Sequence, residues 1–151
     1  MDKKMFCFQC EQTIGCAGCT GNSGVCEKKA DTARLQDELT GALIGLARAV
    51  DSTTAISKRT GQVIIEGLFT TVTNVNFDDA SIENMIQKVR AEKERLVPDC
   101  SKGQSPCGKT GEYDMQQLWN ANEDIRSLKS LILFGIRGMA AYAYHANVLN
   151  Y

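Results

Sequence analysis

Residues Thr32 to Asp51 read TARLQDELTGALIGLARAVD, and the spacing of their apolar positions decides the fold class. Leu35, Leu39, Leu43, Leu46 and Val50 recur at steps of three and four residues, which gathers them on one face of a helix. Asp31 or Thr32 is placed to cap its start. Gly41 and Gly45 lower helix propensity inside it, and the spacing predicts a neighbouring helix approaching closely there.

The chain downstream repeats the pattern. After a short piece that contains Ile56 and stops near Gly61, residues 62–73 carry Val63, Ile64, Leu68, Phe69 and Val72 at helical spacing, and the β-branched run from Thr70 to Thr73 weakens the end. Residues 80–96, capped by Asp78 or Asp79 and stopped by Pro98, carry Ile82, Met85, Ile86, Val89 and Leu96; Glu92, Lys93, Glu94 and Arg95 are expected on the solvent face. Residues 98–114, PDCSKGQSPCGKTGEYD, hold both prolines and read as an irregular surface loop. The last helix is predicted over 122–145 and, as the most apolar, is expected to be the most buried. With no strand-like alternation, the expectation is an all-α, up-and-down helical bundle: one domain over 1–151, with a cysteine-rich loop at 1–27 and the bundle at 30–151. A chain of 151 residues is long enough to bury a core without disulfides.

Upstream of the first helix, Phe6 to Cys26 reads FCFQCEQTIGCAGCTGNSGVC and concentrates five of the seven cysteines. With four glycines between the sulfurs and no apolar run, this segment is expected to lack a core of its own and to wrap around something. Thiolates select zinc, copper(I) or iron–sulfur clusters, and glycines let backbone N–H groups approach sulfur. Cys7 and Cys10 form a C-x2-C pair; the partners are either Cys16 and Cys19 or Cys19 and Cys26, and spacing leaves both open. Phe6 and Phe8 offer an apolar cover, which suits a cluster better than structural zinc.

Net charge is −1 and no Lys/Arg block occurs, so neither nucleic acid nor membrane is an expected partner. The start MDKKMFCFQC has no apolar signal region and no long apolar run follows, so the expected location is cytoplasmic and reducing, where clustered cysteines bind metal rather than pair. Lys3, Lys4, Lys28 and Lys29 bracket the cysteines and could offset cluster charge, with ordinary surface lysines the default reading. Glu92 and Glu94 face different sides of a helix and read as solvated surface rather than an acid–base pair. His145 is expected at a helix end facing solvent, Cys100 and Cys107 as loop thiols, and Trp119 and Met115 as anchors ahead of the last helix.

The runs MFCFQCEQT, GCTGNSGVC and TARLQDEL, with GLFTTVTNVNFDD and NEDIRSLKSLILFGIRGMAAYAYHANVL further on, resemble the N-terminal helical portion of the hybrid-cluster proteins, also called prismane proteins or hydroxylamine reductases. The likeness covers the chain except for about 97–118. It implies an iron–sulfur cluster held by Cys7, Cys10, Cys19 and Cys26, in an oxidoreductase whose further part holds the hybrid cluster that reduces hydroxylamine or nitric oxide. The eight-residue middle gap matches the [4Fe–4S] type rather than [2Fe–2S], although the last gap is one residue longer than in that type. Cys16 is an extra thiol and a candidate substitute ligand. The resemblance thus implies an electron-transfer portion working with a redox donor protein and the remaining domains, and not active alone. The competing expectation is a zinc- or cluster-stabilised helical module that binds partners without redox chemistry.

Overall fold

The computed structural model describes residues 5–10, 12, 17–51, 56–97 and 111–150. Cys16, Cys100, Cys107, Lys3 and Lys4 lie outside the described residues. Five helices follow one another: α1 (Ala30–Asp51), α2 (Lys58–Thr70), α3 (Asp79–Leu96), the four-residue α4 (Gln116–Trp119) and α5 (Glu123–Val148). No strand occurs among the described residues, so the protein is all-α as expected.

Helix α1 starts two residues before its expected N-terminus, and Thr32, rather than capping it, donates Oγ1 to Asp79 Oδ1 (2.6 Å) at the start of α3. Helix α2 begins at Lys58 and runs through Gly61, because Ser57 caps it by accepting the Thr60 backbone N–H (3.1 Å). It stops at Thr70, where the β-branched residues begin. Asp78 and Asn122 cap α3 and α5 in the same way.

The core lies where α1 meets α3 and α2. Leu39, Leu46, Ile82 and Val89 are fully buried there, with Leu35, Leu43, Val63 and Ile86 around them. Gly67 is what brings α2 close to α1: a Cβ on it would stand 2.7 Å from Leu43 Cδ2. At Gly41 the close neighbour is a loop rather than the expected helix. A Cβ there would meet Tyr113 O at 2.2 Å, and Tyr113 N–H donates to Gly41 O (3.1 Å), so the segment before α4 is fastened onto α1.

Two expectations fail on burial. Glu92 is buried with 1% exposure, held by Thr60 Oγ1 (2.7 Å) and Arg95 (2.6 Å) and paired with Arg59 (3.0 Å). These partners hold its carboxyl near pKa 2, the Arg95 hydrogen bond most of all. Helix α5 is apolar yet not the most buried: only Arg137 and Ala140 are enclosed, while Leu131 and Met139 are 69% and 74% exposed. Apolar content measures what a helix could bury, and only its neighbours determine what it does bury.

Candidate metal centre

Around the isolated antiparallel bridge that Cys7 makes with Cys19, alternate side chains go to different places. Met5, Cys7 and Gln9 line a cavity of about 670 Å³. Phe6 and Phe8 do not line it; both rings pack on Trp119 (centroids 5.2 and 5.1 Å away), beside Met115 and Leu118. The aromatics therefore anchor the segment to α4 instead of covering the site as expected, and Met115 and Trp119 are the anchors that receive them. The segment is also less coreless than its composition implies. Met5 and Phe8 are 2% and 3% exposed, because they borrow the apolar surfaces of α1 and α4.

Cys7, Cys10, Cys19 and Cys26 all line the cavity, together with Lys28, Val72, Asn74, Phe134 and Arg137. Cys7 and Cys19 are held side by side by reciprocal backbone bonds, Cys7 N–H to Cys19 O (3.0 Å) and Cys19 N–H to Cys7 O (2.7 Å). Gly18 makes this pairing possible. Its φ of +81° is glycine territory, and a Cβ would stand 2.8 Å from Cys7 O. Burial pushes the Cys7 thiol up, with Lys28 pulling the other way. Among the described residues, no three His, Cys, Asp or Glu side chains are gathered tightly enough for a single metal ion, although the four cysteines line the same cavity.

Polar bonds between buried groups tie the segment to the helices. Gln9, 4% exposed, donates Nε2 to Ala33 O (3.1 Å) and Asp37 Oδ1 (2.6 Å), and its backbone carbonyl accepts from Thr73 Oγ1 (2.9 Å). Lys28 donates Nζ to Gln9 Oε1 (3.0 Å) and is only 2% exposed, so it is not the surface lysine of the default reading. The turn that inserts it passes through Glu27 at φ 64°. Burial raises the Asp37 carboxyl to about pKa 6, against the Gln9 hydrogen bond and the charges of Arg137 and Lys28. His145 lies exposed in the last turn of α5, edge-on to Phe69 (5.5 Å), and away from the cavity.

Arg137 was missed from sequence. Its signal was a cation in the middle of the most apolar helix, within FGIRGMAA. It is 3% exposed, donates Nε to Thr71 Oγ1 (3.1 Å) and Nη2 to Thr40 Oγ1 (3.0 Å), and is lowered by burial to about pKa 10, so it stays charged at neutral pH.

This arrangement of cysteines lies inside a region that a known family covers almost completely. The model of the Prismane/CO dehydrogenase family matches residues 5–151. The chain belongs to that family. Within the Prismane/CO dehydrogenase family, it is similar to the hydroxylamine reductase of Methanococcus vannielii (39% identity over 97% of this chain and 30% of the relative). The hydroxylamine reductases of Clostridium perfringens (39%, over 94% of the chain) and Desulfovibrio desulfuricans (37%, over 99%) are similarly related. The chain thus spans about a third of the length of the relatives it matches, 30% in each case. No described helix is long and apolar enough to cross a membrane.

Proposed function

We propose that this chain is an iron–sulfur electron-transfer unit in which Cys7, Cys10, Cys19 and Cys26 ligate one [4Fe–4S] cluster. The observation that carries the reading is the convergence of these four side chains on one cavity, two of them locked together by the Cys7–Cys19 bonds. The donor set fits the group: thiolate is the ligand iron–sulfur clusters take, and all four cysteines line one cavity. When bound, the cluster would supply one-electron redox chemistry. The residues of the chain would hold it, keep Cys7 and Cys19 in register through Gly18, and wall it from water with Met5, Val72 and Phe134.

In the fuller reading, the unit takes electrons from a redox donor protein and passes them toward a hybrid cluster that reduces hydroxylamine or nitric oxide, carried by polypeptide equivalent to the rest of the relatives' length. The outer face of α5 supports this. Leu128, Leu131, Ile132, Met139 and Tyr142 are 59–83% exposed there, and the relatives have about two thirds of their length beyond what this chain matches. We propose that this apolar face packs against that remainder.

Metal analysis and the visible spectrum of anaerobically reconstituted protein test the cluster reading. Brown protein with about four irons and matching sulfide is expected. Colourless protein holding one zinc would instead support a zinc-stabilised interaction module.

A further inference from the structure

A guanidinium carries five N–H donors and a charge that stays on at neutral pH, so burying one without acceptors is costly. Arg137 reaches from the middle of α5 into the cavity lined by the four cysteines. Its Nε and Nη2 are spent on the neutral hydroxyls of Thr71 and Thr40. Those bonds fix the plane of the group but, being to neutral hydroxyls, supply no opposite charge. Among the described residues, Nη1 has no acceptor, although the side chain is 97% enclosed by its 3% exposure. Asp37, the carboxylate whose charge most supports it, already accepts from Gln9.

The orphaned donor and the cysteines share one cavity, and sulfur anions are the acceptors the cysteines would bring there. We propose that Arg137 is a positioning residue for the cluster: Nη1 donates to one of its sulfurs, and the buried charge raises its reduction potential. The inference rests on the cluster reading above. Its chemistry is one electron in, from an external reductant, with no proton or bond transferred. Four thiolates make the site anionic and reduction adds one more negative charge, so a fixed neighbouring cation stabilises the reduced form more than the oxidised one. Hydrogen bonds to sulfur and net charge are established determinants of cluster potential. Lys28 adds a second buried cation to the same cavity, with its Nζ bonded to Gln9 Oε1, whereas Arg137 Nη1 is a buried donor atom with no acceptor among the described residues.

The test is a redox titration of the reconstituted chain, followed by electron paramagnetic resonance, in wild type, Arg137→Gln and Arg137→Lys, with helix melting recorded alongside. Arg137→Gln should load the cluster and lower its reduced-to-oxidised ratio at the wild-type midpoint about tenfold, a shift of about 59 mV to more negative potential for one electron. Arg137→Lys should recover most of that shift. A loaded Arg137→Gln protein with the wild-type potential overturns the proposal and leaves the arginine a purely structural strut between α1, α2 and α5. Should the variants not fold, wild-type protein labelled with 15N-arginine gives the same answer: the Arg137 guanidinium signal should shift between the apo and loaded, oxidised forms, and an unchanged signal overturns the proposal. Wild-type protein that takes up no iron and sulfide overturns this inference together with the cluster reading, whereas a loaded wild type with an indifferent Arg137 overturns this inference alone.

Discussion

The α1–α3 core and the cysteine segment are neighbours built on opposite principles. In the core, Leu35, Leu39, Leu43 and Leu46 meet Ile82, Ile86 and Val89 in one continuous cluster, and burial of apolar surface is enough to hold it. The cysteine segment is buried in pieces. Met5 and Cys7 pack on Ala33, Phe8 packs on Met115 and Leu118, and Gln9 and Lys28 are held by hydrogen bonds, but Ala17 to Ser23 is exposed or half-exposed. Its beginning and end are fastened to the helices, and only Cys7 and Cys19 share an apolar cluster, a small one made with Met5, Ala30 and Ala33. The difference predicts separable stabilities: helices that fold without metal, and a cysteine segment that gains stability when its thiols are ligated.

Truncating the core should produce the largest effect on folding. Leu39→Ala, at a fully buried position, is expected to lose about 3 kcal/mol in a denaturant titration, with iron per folded chain unchanged. Loss of iron in the molecules that remain folded would break the separation. Glu92→Gln should come next, at about 2 kcal/mol near neutral pH, because it removes the charge and one of the two acceptor oxygens that serve Thr60, Arg59 and Arg95. Its pH dependence has a fixed sign. The folded-state pKa of about 2 lies below the ordinary glutamate value, so the stabilisation is complete above about pH 4.5 and is lost as pH falls toward 2. The gap between wild type and Glu92→Gln should therefore close in acid, and a gap that stays constant would mean the carboxylate charge is not what stabilises.

Gly18→Ala acts on the other region. Forcing a side chain into φ +81° against Cys7 O should cost the loop about 1–2 kcal/mol, lowering cluster loading while the helix melting temperature stays nearly unchanged. An equal fall in both would show that the loop and helices fold as one unit. The smallest effect is expected from Cys16→Ser, Cys100→Ser and Cys107→Ser, which should each keep full cluster content; loss of it in Cys16→Ser would place that residue, not Cys19, in the ligand set.

Local pattern made α1, α3 and α5 legible to within about three residues, because apolar period and cap residues are written in consecutive positions. What required three dimensions was everything decided by a distant partner. Glu92 looks solvated until Thr60 and Arg59 of α2 are placed over it, and Lys28 looks like a surface cation until Gln9 receives it. Helix α4, at four residues, is too short for periodicity to register. The face of α5 misled for the same reason: its apolar residues state a capacity for contact, and α2 takes up only part of it. At the candidate site the cysteines were visible in sequence, whereas what sends Phe6 and Phe8 to Trp119 and Cys7 to the cavity is the distant surface of α4 and the bridge to Cys19.

The claim that the four cysteines act as one ligand set is tested most directly by iron and sulfide content in the single serine variants of Cys7, Cys10, Cys19 and Cys26, reconstituted anaerobically beside wild type. Serine presents a harder and far less acidic donor, so each variant should lose most of its cluster while keeping helical circular dichroism and a cooperative melt. Full cluster content in Cys19→Ser or Cys26→Ser, or collapse of the helices in any of the four, would contradict the account.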